Sequence, residues 1–117
     1  MAYKNSRADF KRKGDTMAKE KGMIGKVVLI RADRAGVMVG TLKSRKGSDV
    51  VLTNSRRIWY WDGAASISQI AQSGVSKPQN CKFTESVSEI LVLGVIEIIP
   101  MTKEAIKSVN EVVPWKA

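Results

Sequence analysis

The residues best suited to bind a ligand are consecutive in the segment 56–61, which reads RRIWYW. The chain has three tryptophans, two tyrosines and two phenylalanines, and three of these rings stand side by side here. Aromatic rings stack on nucleic-acid bases, each contributing about 1–3 kcal/mol, and a guanidinium group can donate two parallel hydrogen bonds to a phosphate. The segment therefore predicts a nucleotide or nucleic-acid site. Its ligand contacts would come from Arg56, Arg57, Trp59 and Trp61.

The same segment continues a strand pattern, in which side chains alternate between two faces. Arg57, Trp59 and Trp61 then share one face. Ile58 and Tyr60 share the other, and if they belong to the core, the arginine and tryptophan face is open to a ligand or to a second subunit. The alternative is that one or both tryptophans are core residues beneath the following helix.

Two further pairs of residues are candidate ligand contacts. Lys103 and Lys107 are one helical turn apart and would project side by side, where they could reach a pyrophosphate. A solvated helix face is the alternative. In a polar loop, Asn80 offers an amide contact and Phe83 a second stacking ring, although Phe83 could equally anchor the loop.

Positive charge is concentrated in the first half of the chain, which has a formal net charge of +9 overall. Residues 1–22 hold seven lysines and arginines against three acidic residues. They show no sustained apolar period, which predicts a basic arm that is flexible or folds only on a partner. Within it, Lys11, Arg12 and Lys13 would contact phosphates without sequence specificity. The charge favours an anionic partner; a solvated basic face is the alternative.

The residue types that are absent argue against catalysis. The chain has no histidine and a single cysteine, which excludes histidine-based catalysis and an internal disulfide. The acidic residues are scattered, and no glycine-rich phosphate loop is present. We therefore expect no enzymatic activity, no cofactor and no metal. The polar N-terminus and the short apolar run from Ile90 to Pro100 predict a cytosolic protein that does not enter a membrane.

Strand patterns cover GKVVLIRA, GVMVGTLKSR and VVLTN, and RKGSD joins the last two as a hairpin. A helix follows, with a capping box at Ser66 and Gln69, or Asp62 as the cap instead, and a stop at Gly74. SVSEILVLGVIEIIP predicts one long or bent strand with a bulge at Gly94. Thr102 caps a last helix, after which the chain lays Trp115 back on the domain.

This order of elements predicts a single α+β domain over residues 23–117. Its core would be a small, bent antiparallel sheet, of which an SH3-like or Sm-like barrel is one form, with an inserted helix and a C-terminal helix.

The pieces RRIWYWDGAAS, GVSKPQNCKF and IEIIP together resemble a family of short, largely uncharacterised phage and prophage proteins. The resemblance covers residues 23–115 and leaves out the basic arm. The size, strand-rich front and helical end are also similar to the phage anti-Thoeris proteins. That similarity implies a homo-oligomer that captures signals of the cyclic ADP-ribose type without cutting them, in the cytoplasm of an infected bacterium.

The hairpin sequence VMVGTLKSRKGSDVVLTN resembles the bent hairpin of Sm-like barrels, which form rings and bind single-stranded RNA. The chain departs from that pattern by inserting a helix after the third strand, and it has no clear second Sm motif near VLGVIEIIP.

Three hypotheses follow from the sequence. The first is a non-catalytic, homo-oligomeric phage protein that sequesters a phosphate-bearing nucleotide signal. The second is a module that binds single-stranded nucleic acid. The third is an inhibitor or structural protein that binds a host or virion protein.

Overall fold

The computed structural model describes residues 22–117; the predicted contacts Lys11, Arg12 and Lys13 lie outside this part, as does all of the basic arm but its last residue. Within it, the strands are β1 (Val27–Ala32), β2 (Gly36–Lys46), β3 (Asp49–Tyr60), β4 (Lys82–Phe83), β5 (Val87–Val92) and β6 (Val95–Pro100). The helices are α1 (Ile67–Ser73), which is inserted between β3 and β4, and α2 (Lys103–Asn110), which follows β6. A turn of 3-10 helix, Pro78–Asn80, precedes β4.

All six strands belong to one antiparallel sheet, with the order β4-β3-β2-β1-β6 and with β5 also paired to β3. The long strands β2 and β3 bend where their register shifts, beside Gly40. A Cβ atom on Gly40 would lie 3.2 Å from the Cα atom of Ser55, so glycine permits the two strands to approach closely here. On β3, Asn54 adopts a φ of 50° at the same bend, a conformation that asparagine tolerates better than most residues.

Two apolar clusters pack on opposite faces of the bent sheet. Leu29 and Ile30 are neighbours on β1 and both are fully buried, but they belong to different clusters. The first cluster lies between the sheet and the helices and includes Leu29, Ile58, Ile70, Phe83 and Val109. The second fills the inside of the bend and includes Ile30, Met38, Leu52 and Val92. Burial on both faces explains why β1 begins with four consecutive apolar residues, Val27 to Ile30.

The predicted fold class is confirmed: a small bent antiparallel sheet with an inserted helix and a C-terminal helix. The predicted caps are also confirmed, since the Ser66 hydroxyl accepts from the backbone N–H of Gln69 at 3.3 Å and the Thr102 hydroxyl accepts from Ala105 at 3.1 Å. Gly74 ends α1 at a φ of 81°.

The prediction of one long strand with a bulge at Gly94 is wrong. Gly94 lies in a turn at a φ of 72° between two separate strands. Its carbonyl accepts from the backbone N–H of Asp33, and the backbone N–H of Val95 donates to Ser48. The chain therefore leaves β3 at this turn and pairs with β1 instead, on the opposite side of the bend.

Candidate nucleic-acid interface

Two tryptophans and a lysine form an exposed cluster at the end of β3. The ring centroids of Trp59 and Trp115 are 5.0 Å apart, with planes tilted by 31°. The Lys82 ammonium lies 5.2 Å from the Trp59 centroid and 5.3 Å from the Trp115 centroid. Trp59 is 60% exposed, and Tyr60 beside it is 51% exposed. We call Trp59, Tyr60, Lys82 and Trp115 the aromatic surface.

The short strand β4 brings these residues together. Its residues pair with the end of β3, Phe83 opposite Ile58 and Lys82 opposite Tyr60. The C-terminal segment then lies along β4, because the backbone N–H of Trp115 donates to the Phe83 carbonyl at 2.8 Å. The aromatic surface is thus built from three segments that are far apart in the sequence.

This arrangement has the chemistry of a base-stacking platform. Tryptophan offers the largest ring for stacking and the strongest for cation–π contact. A lysine held over two such rings adds a positive charge beside them, and proteins that bind single strands combine positive charge with aromatic rings. The surface can hold an unstacked base and attract its backbone.

Arg56 does not belong to this surface, which corrects its prediction as a direct ligand contact there. It is 8% exposed, and its guanidinium donates to the carbonyls of Thr84 at 2.8 Å, Val109 at 2.8 Å and Phe83 at 3.2 Å. Burial lowers the pKa of Arg56 below its ordinary value. Its observed role is to connect β3 with the residues around β4 and the end of α2.

The prediction that Phe83 stacks on a ligand is wrong. Phe83 is fully buried in the cluster beneath the helices, and the Arg56 guanidinium carbon lies 5.6 Å from its ring centroid. The sequence left two roles open for Phe83, stacking on a ligand and anchoring the loop. The structure shows that Phe83 anchors the loop.

The predicted division of the strand into two faces fails after Ile58. The register between β3 and β4 shifts between Ile58 and Tyr60, so strict alternation ends there. Ile58 is buried as predicted, but Tyr60 is exposed. Trp61 packs against the buried cluster and donates its indole N–H to the Ala64 carbonyl at 3.1 Å. Trp61 is therefore a packing residue, whereas Trp59 is exposed.

The remaining candidates lie apart from one another. Arg57 is partly buried and donates to the Ala35 carbonyl. Asn80 is exposed in the 3-10 turn and donates to the Asp62 carboxylate at 2.9 Å, which is the main reason that the pKa of Asp62 lies below its ordinary value of 3.8. Lys103 and Lys107 are exposed on α2. Within residues 22–117, no hydrogen bond or ring contact joins either lysine to another candidate.

Sequence reasoning missed Lys82 as a site residue and placed Trp115 only against the domain. Lys82 carries no motif, and its role depends on β4 pairing with a strand that ends more than twenty residues earlier. A signal for Trp115 was present, since a tryptophan near the end of a chain with few aromatic residues needs either a packing or a binding partner.

A family model described as a domain of unknown function, DUF6948, matches residues 25–109. The chain belongs to the DUF6948 family. No curated protein matches this DUF6948 chain.

Solved structures of Sm proteins are similar to the DUF6948 chain in backbone. One is the P. aerophilum SmAP1 heptamer, at 19% identity and a TM-score of 0.48, covering 74% of this chain and 92% of the other. A heptameric archaeal Sm protein is similar at 19% identity and a TM-score of 0.47, covering 73% and 98% of the two chains.

The described part of the DUF6948 chain has neither a membrane-spanning helix nor a cluster of metal-binding side chains. None of its helices is long and apolar enough to cross a membrane. Residues 22–117 also contain no group of three or more cysteine, aspartate or glutamate side chains that could hold a metal ion.

Proposed function

We propose that this DUF6948 protein is a non-catalytic module that binds single-stranded nucleic acid on the aromatic surface. The observation that carries the proposal is the exposed pair Trp59 and Trp115 with the Lys82 ammonium over both rings. A single strand can splay its bases onto such rings, whereas the bases of a duplex are already stacked on one another. The net charge of +9 supports attraction of the phosphate backbone.

We also propose that the protein acts as a homo-oligomer. Strand β5 pairs only with β3, and β6 pairs only with β1, so each leaves one edge without a strand partner among the described residues. Leu91 and Leu93 near the first edge and Ile96 on the second are 61%, 60% and 56% exposed. Unpaired edges with exposed apolar residues are prone to pair with another chain. Joining two different edges head to tail closes a ring where the rotation between neighbouring subunits allows it.

The proposal is tested by fluorescence anisotropy of a labelled oligonucleotide of about eight nucleotides, single-stranded and as a duplex, over a range of salt concentrations. We expect the single strand to bind more tightly than the duplex. Lys82→Ala should weaken binding and reduce the slope of log K against log salt by about 0.7. Lys103→Ala removes the same charge from the exposed face of α2 and should leave the slope within error.

Either of two results would overturn the proposal. One is equal affinity for single strand and duplex. The other is equal loss of affinity in Lys82→Ala and Lys103→Ala, because the binding would then depend on overall charge and not on the aromatic surface.

The second candidate function is capture of a free nucleotide signal, as the resemblance to phage anti-defence proteins implies. The observation that favours it is the small number of rings in contact, because Trp59 and Trp115 form a single ring pair and not a row of rings within the described residues. Native mass spectrometry of protein purified from cells that make cyclic nucleotide signals would detect such a ligand. An intact nucleotide, bound stoichiometrically and lost in Trp59→Ala, would favour this candidate over a single-strand binder.

A further inference from the structure

The bend of the sheet leaves a cleft of about 220 Å³ beside α2, and we infer that it is a binding site for a small oxyanion such as a phosphate group. Residues of β1, β2 and β3 line the cleft on the sheet side, and α2 and Met101 line it on the other side. Gly40 also lines the cleft, at the position where β2 and β3 approach closely enough that a Cβ atom would lie 3.2 Å from Ser55.

Arg56 lines this cleft and carries a buried positive charge. A guanidinium has five N–H donors, of which Arg56 uses three on backbone carbonyls. Each of its three nitrogens thus has a carbonyl acceptor, while one further N–H on each of Nη1 and Nη2 has no second acceptor among the described residues. Within the same residues, no carboxylate lies within ion-pair distance of Arg56. The Val109 carbonyl at the end of α2 contributes only a partial negative charge.

A buried charge without a counter-ion is costly, and an anion in the cleft would remove that cost. Three uncharged polar residues that line the cleft, Thr41, Asn54 and Asn110, offer hydroxyl and amide donors. No acidic residue lines it. One cation, three neutral donors and no carboxylate favour an oxyanion over a cation. The rest of the lining is Gly40 and the apolar residues Val27, Val39, Met101, Ile106 and Val109.

The volume of the cleft limits the size of the ligand. Pockets for drug-sized molecules span about 300–1,000 Å³, so this cleft takes a phosphate or a sugar phosphate. It shares no residue with the aromatic surface. The inference therefore stands independently of the proposed function.

The test is isothermal titration of the full chain with inorganic phosphate and, separately, with ribose 5-phosphate. The test variant is Asn54→Gly combined with Asn110→Ala. Glycine suits the φ of 50° at position 54, and both side chains are exposed, so the fold is preserved while two amides are removed. Gln79→Ala, which removes an exposed amide from the 3-10 turn, is the matched control.

We expect single-site binding by the wild-type chain, at least about tenfold weaker binding by the double variant, and no change in the control. Tighter binding of ribose 5-phosphate than of inorganic phosphate would identify a sugar phosphate as the ligand, and equal binding would identify the free ion. The Trp59→Ala variant should bind phosphate as the wild type does. That result separates this site from the aromatic surface.

A second measurement follows the Arg56 Nε–H signal by NMR during the phosphate titration. We expect this signal to shift in proportion to saturation, because the anion would add acceptors to the same guanidinium. Any of three results would overturn the inference: no saturable binding of either ligand up to about 10 mM, unchanged affinity in the double variant, or an Arg56 signal that does not move.

Discussion

Trp59 and Trp61 are separated by one residue but have different environments. Trp59 is 60% exposed and stacks on Trp115, whereas Trp61 packs against the buried cluster and donates its indole N–H to Ala64. β3 ends at Tyr60, so Trp59 lies within the strand beside the register shift, whereas Trp61 follows the strand. One motif thus supplies both a packing residue and a surface residue, and the two can be tested separately.

Trp59→Ala should weaken binding of single-stranded oligonucleotides about tenfold or more, since a stacked base contributes about 1–3 kcal/mol. The free energy of unfolding should fall by less than about 1.5 kcal/mol, the usual range for an aromatic pair. Trp61→Phe keeps an apolar ring but removes the indole hydrogen bond, so the free energy of unfolding should fall by about 0.5–1.5 kcal/mol. Its affinity for the oligonucleotide should equal that of the wild type. Anisotropy and urea denaturation measure both effects. If Trp61→Phe lost affinity while Trp59→Ala kept it, the assignment of Trp59 to the binding surface and of Trp61 to packing would be contradicted.

Arg56→Lys should destabilise the fold strongly. A lysine cannot reproduce the planar set of donors that contacts the Phe83, Thr84 and Val109 carbonyls. Losing two hydrogen bonds from a charged group costs about 3 kcal/mol or more, which urea denaturation would detect.

Arg31→Lys is the matched control for that substitution. Arg31 forms an exposed ion pair with Glu97 at 3.4 Å, so its replacement should cost no more than about 1 kcal/mol. Equal losses in the two variants would show that the burial of Arg56 does not matter to stability.

Gly63→Ala should destabilise the protein more than Gly36→Ala. Both glycines have a positive φ, 88° and 89°, so both variants incur a conformational cost of about 1–2 kcal/mol. A Cβ at Gly63 would also lie 2.5 Å from the backbone nitrogen of Lys77, whereas nothing lies within 4 Å at Gly36. Thermal denaturation should show at least about 1 kcal/mol of additional loss for Gly63→Ala. Equal losses of stability in the two variants would mean that the loop around Gly63 moves freely to accommodate the Cβ atom.

Asn80→Ala should raise the pKa of Asp62 toward its ordinary value of 3.8, because the Asn80 amide is the largest cause that lowers it. A carboxyl group whose pKa is lower in the folded state than in the unfolded state stabilises the fold at pH values above its unfolded-state pKa. This contribution is lost as the pH falls through the folded-state pKa. Carboxyl NMR titration measures the change, with Gln79→Ala as the control. An Asp62 pKa that is unchanged in Asn80→Ala would refute the assignment.

The features that the sequence predicted correctly depend on neighbouring residues. The caps at Ser66 and Thr102 act over three residues, and the hairpin turn joins Lys46 to Asp49. Such signals are local, so their chemistry can be recognised without knowing the fold. The bent sheet follows from the strand patterns and the glycines between them.

The features that the sequence did not predict depend on distant pairing. Arg56 contacts carbonyls 27, 28 and 53 residues away, so no local sequence signal could show which groups its guanidinium contacts. Trp59 meets Lys82 and Trp115 only after β4 and the C-terminal segment pair beside β3. The register shift at Ile58 also broke an alternation that the sequence pattern had predicted to continue.

The most direct test of the proposed function is an NMR titration of the ¹⁵N-labelled full chain with a single-stranded oligonucleotide. The chain has three tryptophans, whose indole N–H signals can be assigned with single Trp→Phe variants. If the aromatic surface binds the strand, the Trp59 and Trp115 signals shift together to saturation and the Trp61 signal does not. Saturable binding that leaves Trp59 and Trp115 unmoved, or no binding at all, would contradict the proposed function.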